Sequence, residues 1–577
     1  MNLRVLGVSL AALTMGLGST AQGQEQVSKP GQYSGYSSPV YDGSKLTSVY
    51  VPMRDGVRLA VDIFRPTKHG VVVDDPLPVL WMHSPYNRRP KGGESQASAY
   101  PGGPLDLVKY GYVVAVADFR GLYASFGQDR LFNLGEYDKA AWFDAYDLTE
   151  WLAKQSWSSG RIGMWGCSAT GGSELQAAAT RPPSLRAIFP MSPNFDAYTF
   201  ANYGGAPSSS PARPGSSAER DAQASPVDGP DGADLLSQAA AGHTDDAASQ
   251  RDLPFRDSQS AALGSDWWRR SSPSAHLAAF QAPGLAVYTA GDWDESSTKL
   301  APAMLFANMP PGRAKLLFGP HGHCGWSQTS KEEGFSIQVE ELRFFDYWLK
   351  GVQNGVMQEP PVTYYTYNAP ADHLWRQSPT WPPAAERHAR YYLRSGSLDP
   401  SLPTAPSRDE TTMGPPAAAS SIQLHQAPGG LAYLTPPLDH DVEVTGFPVA
   451  DIWISTQAPD ADVVAEIEDV APDGSTRSYE MIGRLRASHR KLSPAPYRND
   501  ALPYHSDLNT DLKPLKPGHP AELKFALLPM SYIFAKGHRI RVSVTFSDPI
   551  TPNAKTSAAI LSGPGTPSSI LLPVTTG

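Results

Sequence analysis

The feature that most constrains this chain is an apolar run ending in a glycine turn. Gly160-Arg-Ile-Gly-Met-Trp-Gly166 leads into Cys167-Ser168-Ala169-Thr170-Gly171-Gly172 and then into the helix-like Ser173-Glu-Leu-Gln-Ala-Ala-Ala. A strand covered on both faces reads as a nearly continuous apolar run, and one that passes through a tight turn straight into a helix belongs to an α/β sheet. Similar runs stand at Pro78-Val-Leu-Trp-Met-His83, Tyr112-Val-Val-Ala-Val-Ala-Asp118, Leu285-Ala-Val-Tyr-Thr-Ala290 and Ala314-Lys-Leu-Leu-Phe-Gly319. Between them, residues 144–154 carry Ala145, Leu148, Trp151 and Leu152 at helical spacing, and residues 340–350 predict a further helix. Ahead of them, two period-2 runs flank Arg54-Asp55-Gly56, which predicts a β-hairpin.

Length and composition bound the remainder. A chain of 577 residues holds about two to four domains. At 18% charged and 41% hydrophobic residues it is too apolar to be mainly disordered. A net charge of −9 without a long basic run gives no electrostatic support for a nucleic-acid partner. The 55 Pro and 50 Gly argue for many turns and against helical repeats. Residues 1–23 place Arg4 before a short apolar core and end in Ala21-Gln22-Gly23, the order of a signal peptide. No later stretch reaches the roughly 20 apolar residues of a membrane span. The expectation is a secreted or periplasmic protein without membrane association. Two cysteines, Cys167 and Cys324, do not make a disulfide scaffold. A bond between them needs Cα atoms within about 7 Å, and spacing alone does not bring them there.

Residues 204–260 change character, being rich in Ser, Ala, Pro, Asp and Gly, and residues 195–275 therefore read as a cap inserted into the α/β domain. The α/β domain is expected over 24–194 and 276–350. From about 360 onward helical periodicity gives way to short alternating runs such as Arg539-Ile-Arg-Val-Ser-Val-Thr-Phe546, which predicts an all-β sandwich over 351–577.

A serine on a sharp strand-to-helix turn lifts its hydroxyl above the carboxyl edge of the sheet and aims the following N–H at a developing oxyanion. The strict G-x-S-x-G pattern would have Gly at 170, where Thr stands, with Gly171 one residue later. A serine hydroxyl needs a base held by a carboxylate, in the chain order Ser, Asp, His. Gly291-Asp292-Trp293-Asp294 and Gly319-Pro320-His321-Gly322-His323 both stand at predicted strand ends, where catalytic groups belong in a parallel sheet. Spacing leaves Asp292 against Asp294 and His321 against His323 open.

These residues resemble the CocE/NonD family of serine hydrolases, the group of cocaine esterase, α-amino acid ester hydrolases, glutaryl cephalosporin acylases and, more distantly, X-Pro dipeptidyl-peptidases. The markers are Met53-Arg-Asp-Gly-Val-Arg-Leu59, Ser84-Pro-Tyr86, Asp118-Phe-Arg120-Gly121 through Gly127, the segment from Asp144 to Gly160 and, later, Pro437-Leu, Thr445-Gly446, Asp469-Val-Ala-Pro-Asp-Gly474 and Phe534-Ala-Lys-Gly-His538. The resemblance spans nearly the whole chain. It implies an α/β-hydrolase domain with a mainly helical cap and a C-terminal jelly roll. It further implies a cofactor-free hydrolase of small-molecule esters or amides, with Ser168 as nucleophile, Asp294 as acid and His323 as base. Tyr86 and the Ala169 N–H would form the oxyanion hole, although relatives typically carry Tyr at 169. Amino acid ester hydrolase, β-lactam acylase and X-Pro dipeptidyl-peptidase activities are the alternatives within the family. Relatives acting on α-amino esters hold the ammonium with several carboxylates, whereas the corresponding segments here offer Asp196 and Asp266. Trp165, Asp266, Trp267 and Trp268 are the candidate substrate contacts, weighed against a plain role of the tryptophans as core. Asp118 and Arg120 read as structural. Homo-oligomerisation is compatible with the sequence. A metallohydrolase built on His321-x-His323-Cys324 and a non-catalytic binding protein are the rivals from other classes.

Overall fold

The computed structural model describes residues 26–99, 103–128, 141–207, 218–243, 253–259, 266–328, 335–385, 387–414, 426, 429–546 and 554–575. The signal-peptide expectation over 1–23 lies outside them. No helix among the described residues is long and apolar enough to cross a membrane.

The N-terminal half is built on one large sheet. From one edge its strands run Trp375–Ser378, Val362–Tyr365, Ala314–Gly322, Ala286–Asp294, Leu185–Met191, Ser158–Cys167, Leu77–Ser84, Val113–Asp118, Arg58–Lys68 and Gly43–Pro52. Val362–Tyr365 through Val113–Asp118 are mutually parallel, and antiparallel strands close both sides. The parallel strands are mostly apolar along their buried stretches because both faces are covered there. Val79 and Trp81 point into one core while Leu80 and Met82 point into the other, as the period of two requires. The predicted hairpin forms around Gly56, whose φ of +85° suits a residue without a Cβ.

The expected end of the α/β domain near 350 is corrected. Val362–Tyr365 pairs with Leu316, Leu317 and Phe318 and recruits Trp375–Ser378, so the sheet continues to Ser378. Val-Thr-Tyr-Tyr is a short alternation that reads alike in either domain, and only its hydrogen-bond partners assign it. The C-terminal half is β-rich, with strands from Arg387–Arg394 to Ser569–Thr575 around a separate apolar core that includes Ile452, Ile467, Phe534 and Val542. Tyr367 joins the halves through backbone hydrogen bonds with Ser531 and Ile533.

Within 195–275 the described residues form short helices, Ala197–Ala201, Ala218–Asp221, Gly232–Gly242 and Trp267–Ser271. The middle of this segment packs back on the N-terminal strands. Arg88 donates to the Ser225 carbonyl, and the Ser48 N–H donates to Asp228. Asp118 and Arg120 are structural, as expected. The Asp118 carboxylate accepts from the Arg88 backbone and guanidinium, and Arg120 grips Asp144 and Asp55, tying the hairpin turn to the helix Asp144–Ala153.

Glu174 and Glu341 are buried without a counter-charge among the described residues. One Glu174 oxygen accepts the Phe189 N–H, while its second oxygen and both oxygens of Glu341 have no hydrogen-bond partner among the described residues. Burial pushes both groups well above the usual carboxylate range, and the charge of Glu341 adds to this for Glu174. The unfolded chain releases these protons above about pH 4.3 while the fold retains them, so stability falls as pH rises beyond that point. Glu341→Gln is expected to raise the thermal unfolding midpoint by about 2 °C or more at pH 8 and by less at pH 5. A midpoint that is unchanged at both pH values would sink this reading.

Candidate active site

Ser168 stands between the strand Ser158–Cys167 and the helix Ala169–Thr180 with φ 61° and ψ −124°, a conformation that costs a non-glycine residue on the order of 1–3 kcal/mol. Its surroundings hold it there. The Ser168 N–H donates to Met191 O at 2.9 Å, and the Gly172 N–H donates to Ser168 O at 2.9 Å. Thr170, the departure from the glycine pattern, clasps the turn: its hydroxyl accepts from the Cys167 N–H and donates to the Cys167 carbonyl, each at 2.8 Å. A Cβ on Gly166 would stand 2.5 Å from that hydroxyl oxygen, and one on Gly171 would stand 2.7 Å from Met191 O. Two glycines are therefore required on steric grounds, and the threonine supplies hydrogen bonds that a glycine could not.

Tyr86 reaches this turn from the end of the strand Leu77–Ser84. The Ser84-Pro-Tyr86 corner is pinned by the Tyr86 N–H to Ser84 Oγ, by Ser84 Oγ to Gln96 and by the Gln96 amide to Tyr86 O. The Tyr86 hydroxyl shares a hydrogen bond with the Ser168 side chain and accepts from the Ala169 N–H. Burial holds the phenol above its ordinary pKa, and those two bonds pull it the other way. A phenol and a backbone N–H thus converge beside the Ser168 hydroxyl.

His323 follows the strand Ala314–Gly322, and its Nδ1 lies 2.7 Å from Oε2 of Glu295. His321 points elsewhere, with its ring edge-on to Trp326 at 5.7 Å. Glu295 is buried among donors. Ser192 Oγ donates at 3.0 Å, Thr298 Oγ1 at 2.9 Å and the Asp292 N–H at 3.1 Å. Asp292 is fully buried, and burial together with the Glu295 charge raises its carboxyl well above the usual range. The nearby backbone N–H groups of His321, Gly325 and Cys324 pull it the other way. Lys299, also buried, donates to Trp293 O and to Tyr479 O, each at 2.9 Å, which ties the acidic turn to the β-rich half. Burial lowers its ammonium to about 7.

Two family models match the chain. The X-Pro dipeptidyl-peptidase (S15 family) model covers residues 55–325, which contain Tyr86, Ser168, Glu295 and His323. The X-Pro dipeptidyl-peptidase C-terminal non-catalytic domain model covers residues 354–559. A putative serine esterase of Mycobacterium bovis is 29% identical over 90% of this chain and 93% of its own length. Cocaine esterase of a Rhodococcus species is 28% identical over 88% of this chain and 91% of its own length. Among solved structures, a CocE/NonD family hydrolase from Staphylococcus aureus superposes with a TM-score of 0.70 at 20% identity, covering 92% and 93% of the two chains. The chain is a serine hydrolase, similar to the cocaine esterase and S15 peptidase group.

In this hydrolase the strand order explains why the site forms where it does. Ser168, Glu295 and His323 all follow the carboxyl ends of parallel strands, where loops converge above an open sheet. Asp294, which the resemblance implied as the acid, is not brought to His323. Its side chain is exposed, and the neighbouring Glu295 takes the contact. The physical reason is local. Asp294 turns to solvent at the end of its strand while the next residue, Glu295, turns inward, and the extra residue between Gly319 and Gly322 lies on the strand that leads to His323. Glu295 lies one residue beyond the Gly291-Asp292-Trp293-Asp294 motif, outside the predicted strand end. The signal that could have found it is Glu295 followed by Thr298, a carboxylate with a hydroxyl donor three residues on.

The candidate substrate contacts are corrected as well. Trp165 is fully buried in the core shared with Leu80 and Cys167 because it alternates inward on a covered strand. Trp267 and Trp268 pack on each other and on Tyr198 within segment 195–275, with Trp268 Nε1 donating to Leu253 O. Asp266 is surface-exposed and occupied by Arg269 and Arg270. Asp196 caps the helix Ala197–Ala201 through the Thr199 N–H and takes both carboxylate oxygens to Arg256 Nη1 at 2.8 Å. Cys167 and Cys324 form a disulfide with a Cα–Cα distance of 6.0 Å, so Cys324 offers no thiolate to a metal beside His321 and His323.

Proposed function

We propose that the protein cleaves ester or amide acyl bonds of small molecules through an acyl-enzyme on Ser168, without a cofactor. His323 takes the serine proton and returns it to the leaving group, Glu295 orients the imidazole and stabilises its cationic form, and Tyr86 with the Ala169 N–H receives the oxyanion. The observation that carries this reading is the convergence of the Tyr86 hydroxyl and the Ala169 N–H on a serine held at positive φ. The cap over 195–275, the jelly-roll assignment of the C-terminal half and the exported location belong to the same proposal. Labelling with a fluorophosphonate, with the adduct mapped by mass spectrometry, tests it, and an adduct absent from Ser168 would overturn it.

Tyr86→Phe is expected to lower kcat by about 10²-fold to 10³-fold with little change in KM, because the interaction forms mainly in the transition state. Unchanged turnover, or a variant that merely unfolds, would return this residue to a structural role.

For the acyl group, the carboxylates decide. A desolvated ammonium needs an opposite charge within about 4 to 6 Å. Asp196 lines a small cavity with Asn194, Phe195, Leu300 and Tyr497, but the Arg256 guanidinium already neutralises it. Asp266 is equally committed at the surface. Neutral acyl esters are therefore the preferred substrates in this reading, as opposed to α-amino esters or peptides with a free amino terminus. The check compares kcat/KM for an α-amino ester with its des-amino analogue at about pH 6 to 7, where the amine is charged. A tenfold or larger preference for the amino ester would favour the amino acid ester hydrolase alternative.

A further inference from the structure

We infer that the Cys167–Cys324 disulfide is a positioning crosslink for the reaction, holding the turn that carries His323 over the turn that carries Ser168. The inference rests on the reading of those two residues as base and nucleophile. Each cysteine is the immediate neighbour of one of them, on the strand side of Ser168 and the far side of His323. The sheet does not bring them together. The strands Ser158–Cys167 and Ala314–Gly322 are separated by Leu185–Met191 and Ala286–Asp294, three inter-strand spacings or about 14 Å. The two Cα atoms nevertheless stand 6.0 Å apart. The chain after Gly322 therefore leans back across two strands.

Noncovalent support for that excursion is uneven. The nucleophile side is rigid, with Cys167 fully buried and its backbone clasped by Thr170. On the base side the His323 side chain is 43% exposed, and Cys324 adopts a φ of 60°. The tightest packing of the turn is at its root, where the Trp326 ring occupies the space a Cβ on Gly319 would need. The hydrogen bond from His323 Nδ1 to buried Glu295 orients the imidazole from the acid side, and the covalent link beside His323 ties the same turn to the nucleophile side. Without it, imidazole and hydroxyl drift apart by fractions of an ångström, and misplacement of about 1 Å can cost on the order of 10²-fold in rate.

The alternative is a crosslink that acts on stability alone, by closing a loop of 157 residues. Rate per active site separates the two. The parent is first titrated with a fluorophosphonate and Ser168 identified as the labelled residue. Cys167→Ala, Cys324→Ala and the double variant are then titrated in the same way, and kcat and KM are expressed per titrated site. We expect kcat and the phosphonylation rate to fall about 10-fold to 100-fold, with KM within threefold, and to fall equally in all three variants, because the bond and not a sulfur atom is removed. In parallel, the parent is treated with a dithiol, which gives up two electrons and two protons, cleaves the bond into two thiols and closes its own disulfide. The same loss of kcat is expected in this reduced protein, with recovery on reoxidation, so the test stands even where a variant fails to fold. A kcat per site within twofold of the parent, whatever the unfolding midpoint, overturns the positioning role. Absence of labelling at Ser168 in the parent overturns the site reading and this inference with it.

Discussion

Ser168→Ala is expected to lose fluorophosphonate labelling entirely and to lower turnover by about four to six orders of magnitude, the scale on which triads fail when the nucleophile is removed. The loss should be chemical and not structural. Neighbouring backbone hydrogen bonds hold the turn, from the Ser168 N–H to Met191 O and through the Thr170 clasp on Cys167, and neither uses the serine side chain. Circular dichroism and the unfolding midpoint should therefore match the parent. Hydrolysis that survived in Ser168→Ala and vanished with a chelator would transfer the chemistry to a metal centre at His321 and His323.

The second large effect separates two adjacent acids. Glu295→Gln is expected to lower kcat by about 10⁴-fold, since an amide that donates toward His323 Nδ1 favours the wrong imidazole tautomer and cannot stabilise the cation. Asp294→Asn, one residue away and exposed, should leave kcat within tenfold of the parent. Steady-state kinetics of the two variants on one ester decides the matter. A collapse in Asp294→Asn with Glu295→Gln close to the parent would restore Asp294, the residue implied by resemblance, and reject the contact in the structure as the working one.

These two acids mark the border of what could be read from the chain. The strand, glycine turn and helix around Ser168, the hairpin at Gly56 and the parallel strands were legible because each announces itself within about ten residues, through buried apolar runs and turn residues. The serine and the histidine loop were legible for the same reason, whereas Tyr86 and the choice of His323 over His321 came from the resemblance to relatives. Three things were decided only by the tertiary structure. Glu295 displaced Asp294 because the histidine loop arrives on the side to which buried Glu295 turns, while Asp294 faces solvent. The cysteines, 157 residues apart, met because a turn leans over two intervening strands, a distance no local pattern encodes. Asp196 was removed as a counter-charge because Arg256, 60 residues on, folds onto it. Local sequence determines which elements form and which chemistry stands at their ends. Pairings between distant segments depend on register and on which neighbour arrives, and those exist only once the sheet is assembled.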